Sequence, residues 1–351
     1  MQGATEWTED ETTPEENPTR PRVQINRWAV GVRVGLMVLA FVIYLGALDA
    51  ELLYSWDDQR YITANPHFAN GVTLDTIRAF WTDQYFASYI PITMMGYTIQ
   101  YALWGEAPTG YFVVLMLLHG VNAILVYSLL MKLLDRRRWI ALFAAILFVV
   151  HPIQVENVAW ASELKALLGM LGFLITFHIH IYSHKAPWAL PVGYAMHVIT
   201  MLSKTSAIGA PLLFFLYDVE WSRRRGKEQR PLVQRIIQSA LRAIPYGIIS
   251  IIFAFVQIWA HDQVGGIKNP LVPGFLGRLQ LMAVVNWEYF LSLVFPLNLN
   301  NMYFYTEQGI RSAYFAQFMG VLLVVGLSVL AWRGGRFGRM SAAWVVMFML
   351  P

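Results

Sequence analysis

The chain has 351 residues, of which 57% are hydrophobic and 14% charged, and its mean hydropathy is +0.46. This composition excludes an ordinary soluble protein and indicates an all-α polytopic membrane protein. The absence of cysteine excludes disulfides, thiolate metal sites and a cysteine nucleophile. The net charge of +4 comes from short basic clusters between apolar runs, so we do not expect nucleic-acid binding.

The chain begins with a polar segment and continues as a series of apolar runs. Residues 1–27 are rich in Glu, Thr and Pro, and we expect a disordered cytosolic tail there. Residues 28–351 are expected to form one membrane domain with about nine spanning segments. Eight apolar runs lie at 28–48, 112–134, 139–150, 157–182, 188–203, 206–217, 240–260 and 312–332. A ninth begins at residue 340 and reaches 351 after 12 residues, which is too short for a span, so we expect a truncated chain.

Two further segments, 91–104 and 279–295, are ambiguous, and the basic residues favour one topology. If both lie along the membrane surface, the basic clusters fall on one side, which the positive-inside rule assigns to the cytoplasm. The N-terminus is then cytoplasmic, and two large outer loops, 49–110 and 261–311, each carry an interfacial helix. The clusters are Arg20/Arg22/Arg27, Arg136/Arg137/Arg138, Arg223/Arg224/Arg225/Lys227/Arg230 and Arg333/Arg336/Arg339.

The first outer loop contains two adjacent carboxylates, Asp57 and Asp58, among the aromatic residues Tyr54, Trp56 and Tyr61. Exposed loop carboxylates are often simply solvated, but the aromatic neighbours favour a cleft. Adjacent side chains diverge in an extended loop, so one carboxylate can accept a proton while the other orients a partner or a divalent ion. A metal ion is possible at this pair but is not required.

Short apolar runs predict an outward-facing cavity. The runs 139–150 and 206–217 are shorter than a span, so their outer ends stop within the depth of the bilayer, where irregular backbone must line a cavity. The turns that follow or precede these runs should border it.

Several charged or polar side chains fall at this cavity. Lys204 either reaches for the lipid headgroups or holds a phosphate. Glu163 and Lys165 should line the cavity, since ionisable groups facing lipid are costly. His151 and Glu156 are also expected there, and no histidine spacing supports a zinc or di-iron site.

Five stretches, in order between residues 54 and 305, resemble the bacterial relatives of the transmembrane O-mannosyltransferases that carry tetratricopeptide repeats. They are WDDQRYITANPHFANGVTLDTIRAFW, SYIPITMMGYTIQYALWGEAPTGYFVVLMLLHGVNAILVYSLL, HPIQVENVAWASELKALL, SKTSAIGAPLLFFLYD and FPLNLNNMYFY. The resemblance implies a GT-C glycosyltransferase fold in a bacterial inner membrane and a polyprenyl-phosphate sugar as donor. It also implies that Asp57, the first member of the acidic pair, is the catalytic carboxylate.

We therefore predict an inverting glycosyltransferase that transfers a sugar to a protein or lipid acceptor on the outer membrane face. Asp57 would accept the proton of the acceptor, and Lys204, with Lys165 or Arg60, would hold the donor phosphate. Membership of a larger membrane complex is a further prediction for this protein.

Three departures from the family pattern keep alternatives open. Ile90 stands where the family usually has Arg or His, and Leu164 and Ala166 replace an Arg and an Asp. A non-catalytic scaffold subunit that binds a partner or lipid would explain the lost charges. A transporter for a lipid-linked sugar would also use an outer cavity with a lysine, although paired broken helices are not seen in the sequence.

Overall fold

The computed structural model describes residues 27–68, 71–221, 231–264, 274–297 and 305–335, together with residues 272, 299–300, 338–342 and 345. Within these ranges every extended regular element is helical, which confirms the all-α membrane protein. Nearly all of the expected tail, the basic cluster Arg223–Arg230 and the last residues before 351 lie outside the described residues. The helices are α1 (Arg27–Tyr44), α2 (Leu74–Thr82), α3 (Pro91–Trp104), α4 (Pro108–Leu133), α5 (Arg138–Val150), α6 (Gln154–Ala159), α7 (Leu164–Tyr182), α8 (Ala189–Ser203), α9 (Ala210–Trp221), α10 (Leu232–Gln263), α11 (Gly274–Val294), α12 (Glu307–Ser312) and α13 (Tyr314–Arg333).

The expected count of nine spans is not supported. Five helical segments in the described part of the chain are long and apolar enough to cross a membrane: Arg27–Asp49, Pro108–Leu133, Ala161–Tyr182, Leu232–Gln263 and Tyr314–Arg333. Helices α5 and α8 are apolar but have only 13 and 15 residues. At 1.5 Å per residue such helices reach only about 20 Å, whereas the hydrocarbon layer is about 30 Å thick.

The apolar core has separate layers along the bundle. The first halves of α4 and α7 share one buried cluster, which includes Phe112 and Leu167, whereas their second halves share another, which includes Leu133 and Phe177. The two helices therefore run in the same direction. We call the end of the bundle at the start of α4 and α7 the loop end, because the first loop also packs there, through Tyr61 and neighbouring residues.

Helix α3 lies at the loop end. Its buried residues Met94 and Tyr97 belong to the loop-end cluster. Near its start, the Thr93 hydroxyl donates to the carbonyl of Ser203 at the end of α8 (2.9 Å). At the other end of α3, the ring of Trp104 fills the space beside Gly110 in the first turn of α4. Both ends of α3 thus contact the same end of the bundle, which favours a helix that lies along the membrane surface.

The second ambiguous segment is part of α11, a single helix of 21 residues. It runs antiparallel to α13, because Ala283 contacts Gly320 and the ring of Trp287 lies beside that of Phe315 (6.2 Å between centroids). Helix α11 therefore packs along α13, which is a candidate membrane span, and this packing does not favour the surface position expected for residues 279–295. The loop 261–311 is described only in part.

Candidate functional site

Aromatic packing holds the first loop against the start of α7. The ring of Tyr61 stacks on that of Tyr97 (5.5 Å between centroids), and the ring of Trp56 meets Trp160 edge to face (6.1 Å). Tyr61 and Tyr97 are buried, and the Tyr97 hydroxyl donates to the carbonyl of Ser162 (2.8 Å). These contacts place the two loop carboxylates directly beside the turn that begins α7.

Asp58 is fully buried and anchors the loop. Its Oδ2 accepts from the backbone N–H of Leu53 (2.9 Å), and its Oδ1 accepts from both the backbone N–H (2.8 Å) and the hydroxyl of Ser162. Burial raises the pKa of Asp58, and the hydrogen bonds from Leu53 and Ser162 oppose that rise. Both carboxylate oxygens are therefore engaged by the protein, which favours a positioning role for Asp58 over a catalytic one.

Asp57 is the first member of a chain of four alternating charges. Its Oδ2 lies 3.3 Å from Lys165 Nζ, which also lies 3.3 Å from Glu163 Oε1. The second oxygen of Glu163, Oε2, lies 3.2 Å from Lys204 Nζ. The structure thus brings together four residues that the sequence assigned to the outer cavity and to the loop beside it. Desolvation of Glu163 and Lys165 at the start of a membrane helix is offset because each is paired on two sides.

Exposure differs along this ion chain. The side chains of Lys165 and Glu163 are 16% and 11% exposed, whereas those of Asp57 and Lys204 are 30% and 33% exposed. The inner pair is therefore shielded, and the two ends remain accessible to a ligand. Lys165 Nζ also lies 5.1 Å from the centroid of the Tyr61 ring, a cation–π contact that further fixes its position.

Lys204 reaches the ion chain because two helices approach closely. It follows α8 in extended conformation (φ −159°, ψ 133°), and its Cβ sits over Gly169 of α7. A Cβ built on Gly169 would lie 2.9 Å from the Cβ of Lys204, closer than such atoms normally approach. The glycine is therefore required by the close approach that directs Lys204 towards Glu163.

Arg60 lies outside the ion chain. Its side chain is exposed and its guanidinium lies 4.0 Å from the centroid of the Phe86 ring. Its carbonyl accepts a hydrogen bond from the Tyr85 hydroxyl (2.6 Å), and burial raises the pKa of Tyr85 to about 12. Arg60 is thus placed on the rim of the loop, where it could contact a ligand without being tied to a carboxylate.

Glu156 and His151 lie beside a cavity of about 500 Å³ between the first loop, α6 and α11. Glu156 lines this cavity, and burial raises its pKa, as does the nearby carboxylate of Glu163, while Lys204 and Lys165 lower it. His151 does not line it: Nε2 donates to the carbonyl of Leu293 in α11 (2.8 Å), while Nδ1 accepts from the N–H of Ile153 (3.2 Å). We conclude that His151 joins α5 to α11.

Two of the three departures from the family pattern lie in the apolar core. Ile90 and Leu164 are buried in the loop-end cluster, and Leu164 packs against Gly96 of α3. Ala166 is only partly buried. Position 164 lies between Glu163 and Lys165 of the ion chain, and both Ile90 and Leu164 make apolar contacts where the family pattern has charges.

Sequence reasoning missed two features. Ser162 was not predicted as a site residue, although its N–H and hydroxyl both donate to Asp58. At the opposite end of the bundle, Asp218 of α9 contacts His180, His184 and Arg242, which come from the end of α7 and from α10. The signals were a lone aspartate in an apolar helix and two histidines four residues apart. Among the described residues, Asp218 and the two histidines are also the one group of three side chains whose spacing would suit a metal ion.

Part of the chain is similar to proteins named as O-mannosyl-transferases. It is 31% identical to the protein O-mannosyl-transferase Tmtc1 of Drosophila melanogaster over 196 residues, which cover 53% of this chain and 22% of that protein. It is 32% identical to Tmtc2 of the same organism over 199 residues (52% and 21%), and 31% identical to human TMTC4 over 159 residues (40% and 21%). About half of this chain is therefore similar in sequence to proteins named as protein O-mannosyl-transferases.

The resemblance read from the sequence is thus confirmed, over about half of the chain. The matched part is about a fifth of each relative's length, 22% and 21% for the two Drosophila proteins. No protein-family model and no solved structure matches the chain. The expected bacterial inner membrane and the orientation within it stay predictions.

Proposed function

We propose that this protein is a membrane glycosyltransferase that transfers a sugar from a polyprenyl-phosphate donor to a hydroxyl group of a protein, with inversion at the anomeric carbon. The relatives' names support sugar transfer to protein. The observation that carries the proposal is the ion chain Asp57–Lys165–Glu163–Lys204, because it places a carboxylate and two cations at one accessible site.

The proposed reaction needs a base and a phosphate-binding cation. The acceptor oxygen attacks the anomeric carbon, its proton passes to Asp57, and the bond between that carbon and the phosphate oxygen breaks. The electron pair leaves with the polyprenyl phosphate, whose negative charge Lys204 and Lys165 stabilise. A phosphate is a good leaving group, so cations at this position matter more than a general acid.

Lys165 couples the two halves of this reaction. In the ion chain its ammonium group is shared between Asp57 and Glu163. A donor phosphate that draws the ammonium group towards itself would release Asp57 Oδ2 for the acceptor proton. Donor binding would thereby prepare the base, and Glu163 would keep both lysines close to the site. Arg60, on the exposed rim, is the third candidate cation.

The apolar cavity beside Glu156 offers room for part of the donor. It holds about 500 Å³ and is lined mainly by apolar side chains of α6, α11 and the first loop. Glu156 connects it electrostatically with Lys204 and Lys165. We place the active face outside, with the N-terminus in the cytoplasm, as the basic clusters predict.

A scaffold subunit is the second candidate, because Ile90 and Leu164 are buried apolar residues where the family pattern has charges. Such a protein would keep the helical bundle and bind a partner or lipid without transferring sugar.

The two candidates differ in a transfer assay. Membranes that contain the wild type or Asp57→Asn are given radiolabelled polyprenyl-phosphate mannose, and label in protein is counted. Transfer by the wild type that falls to background in Asp57→Asn supports the enzyme. Label that stays on the lipid with both proteins, and with other polyprenyl-phosphate sugars, supports the scaffold. Label that crosses the membrane still attached to the prenol would indicate a transporter.

A further inference from the structure

A second polar cavity lies at the opposite end of the bundle from the ion chain. It holds about 760 Å³ and lies between the ends of α1, α4, α5 and α7. The site lysine Lys165 and the cavity residue Tyr182 stand 17 positions apart on α7, which corresponds to about 26 Å along the helix. We call it the basic cavity, since its charged lining residues are Arg33, Lys132, Asp135, Arg136, Arg138 and Lys185.

A tight turn brings the basic residues of α4 and α5 together. Asp135 and Arg136 adopt left-handed backbone conformations (φ 51° and 64°), which are uncommon for residues other than glycine. The N–H of Arg136 donates back to the carbonyl of Met131 (3.0 Å). The chain therefore reverses within a few residues, so that Arg136 and Arg138 line the same cavity as Lys132.

Aromatic rings position one of these cations. The Arg138 guanidinium lies 5.3 Å and 5.4 Å from the centroids of the Trp28 and Trp139 rings, which meet edge to face at 5.1 Å. Trp28, at the start of α1, also lines the basic cavity. Tryptophan at the boundary between lipid and water is a common membrane anchor, so this pair places Arg138 at headgroup level.

The charge of the basic cavity favours an anionic ligand. Five cations and one carboxylate line it, and all five cations are exposed. A positive-inside signal requires basic residues near the helix ends, but it does not require them to converge on one cavity from several different elements. Lys and Arg side chains in such a cavity are suited to phosphate oxygens.

An apolar groove adjoins the basic cavity at Trp28. It lies between α1 and α5, holds about 480 Å³, and is lined by Gly31, Gly35, Leu39 and Leu142 among others. A Cβ built on Gly31 or Gly35 would meet nothing within 4 Å, so these glycines leave open space on the face of a spanning helix. A charged cavity at headgroup level that continues into an apolar groove matches the two parts of a phospholipid, its charged headgroup and its acyl chain.

We propose that this end of the bundle binds one anionic phospholipid, with its phosphate headgroup in the basic cavity and an acyl chain in the groove between α1 and α5. A soluble phosphate compound would use the cavity alone. Because the groove and the cavity share Trp28, a lipid can occupy both at once. The proposal does not depend on sugar transfer, since no residue of the ion chain takes part.

The test is native mass spectrometry of the purified full chain in detergent, titrated with phosphatidylglycerol, with phosphatidylcholine of the same acyl chains, and with inorganic phosphate. We expect phosphatidylglycerol to be retained preferentially. Arg33→Gln and Arg138→Gln should each weaken its retention about fivefold, the usual value of one cation near an anionic lipid. Arg137→Gln is the matched control, because Arg137 belongs to the same arginine run but does not line the cavity.

A variant in α1 tests the groove separately. Gly35→Leu fills the groove without changing charge, so it should weaken retention of phosphatidylglycerol and leave the binding of inorganic phosphate unchanged. Lys185→Gln replaces Arg33→Gln if the latter does not fold. Equal retention of the two lipids, or an equal loss in Arg137→Gln, would overturn the proposal. So would competition by inorganic phosphate together with normal lipid retention in Gly35→Leu, which would assign the cavity to a soluble phosphate.

Discussion

Lys165 and Asp57 are 108 positions apart in the chain, yet Lys165 Nζ lies 3.3 Å from Asp57 Oδ2. The contact joins the first loop to the start of α7, and Lys165 simultaneously contacts Glu163. Its ammonium group is therefore held by two carboxylates beside the accessible ends of the ion chain. In the proposed reaction this arrangement places the cation for the leaving phosphate next to the base for the acceptor.

Asp57→Asn tests the base. Asparagine keeps the size of the side chain but does not accept a proton at neutral pH, so we expect the transfer rate to fall about 10²- to 10⁴-fold. Donor affinity should change little. The measurement is the rate of sugar transfer at saturating donor. Asp83→Asn is the matched control, because Asp83 follows α2 in the same loop and contacts neither lysine of the ion chain. Equal, non-zero rates for wild type and Asp57→Asn would remove Asp57 from the mechanism.

Lys204→Gln tests the donor phosphate site. A charged hydrogen bond contributes roughly 1.5–3 kcal/mol, so donor affinity should fall about 10- to 150-fold, while expression stays normal. Glu163 keeps Lys165 as a partner in this variant. Donor binding is measured directly, with Arg78→Gln as a control for loss of an exposed cation in the first loop. Unchanged affinity would assign the phosphate to Lys165 and Arg60.

Asp58→Asn should affect stability. The amide NH₂ group can replace only one carboxylate oxygen, so it would face either the N–H of Leu53 or the two donors of Ser162, and one set would lose its acceptor. We expect a loss of about 1–3 kcal/mol in the free energy of unfolding. Thermal unfolding in detergent and the yield of folded protein are the measurements. Asp57→Asn serves as the comparison and should lose less stability, because Glu163 still pairs with Lys165 in that variant. An unchanged Asp58→Asn would show that these bonds are not needed.

The sequence singled out all four members of the ion chain, because charged residues in an apolar chain are few and costly. It predicted that Asp57 and Asp58 diverge, but not which of their neighbours each would meet. Asp58 contacts Ser162, which is 104 positions away. Such pairings depend on how the first loop folds over α7, and no local pattern encodes that.

The span count failed for a related reason. An apolar run of 12 to 15 residues, such as α9 or α8, fits a partial membrane helix and a buried core helix equally well. Helix bounds were clearer where turn residues mark them: Pro91 begins α3, and Gly105 ends it with a positive φ of 58°. Apolar runs and turn residues therefore located these helices, whereas their depth in the membrane depends on the packing.

Orientation can be tested with introduced cysteines, since the wild type has none. The positive-inside rule predicts that Gln59→Cys reacts with an impermeant thiol reagent added to intact cells, whereas Arg137→Cys does not. Gln59 is exposed at the loop end, and Arg137 is exposed at the opposite end. Both should react after the membrane is permeabilised. Labelling of Arg137→Cys in intact cells, with Gln59→Cys protected, would reverse the orientation and place the site in the cytoplasm.

Gly169→Ala tests whether the close approach of α7 and Lys204 positions the ion chain. The added methyl group would lie 2.9 Å from the Cβ of Lys204, so the two segments must separate by some tenths of an ångström. Overpacking of this kind costs about 1–3 kcal/mol. Separation also draws Lys204 away from Glu163, so donor affinity should fall although no charge is removed. Gly247→Ala in α10 is the matched control, because a Cβ there meets nothing within 4 Å, and stability should stay equal or rise. Donor affinity and thermal unfolding are measured for both. Loss of stability with unchanged donor affinity in Gly169→Ala would separate the packing of α7 from the position of Lys204.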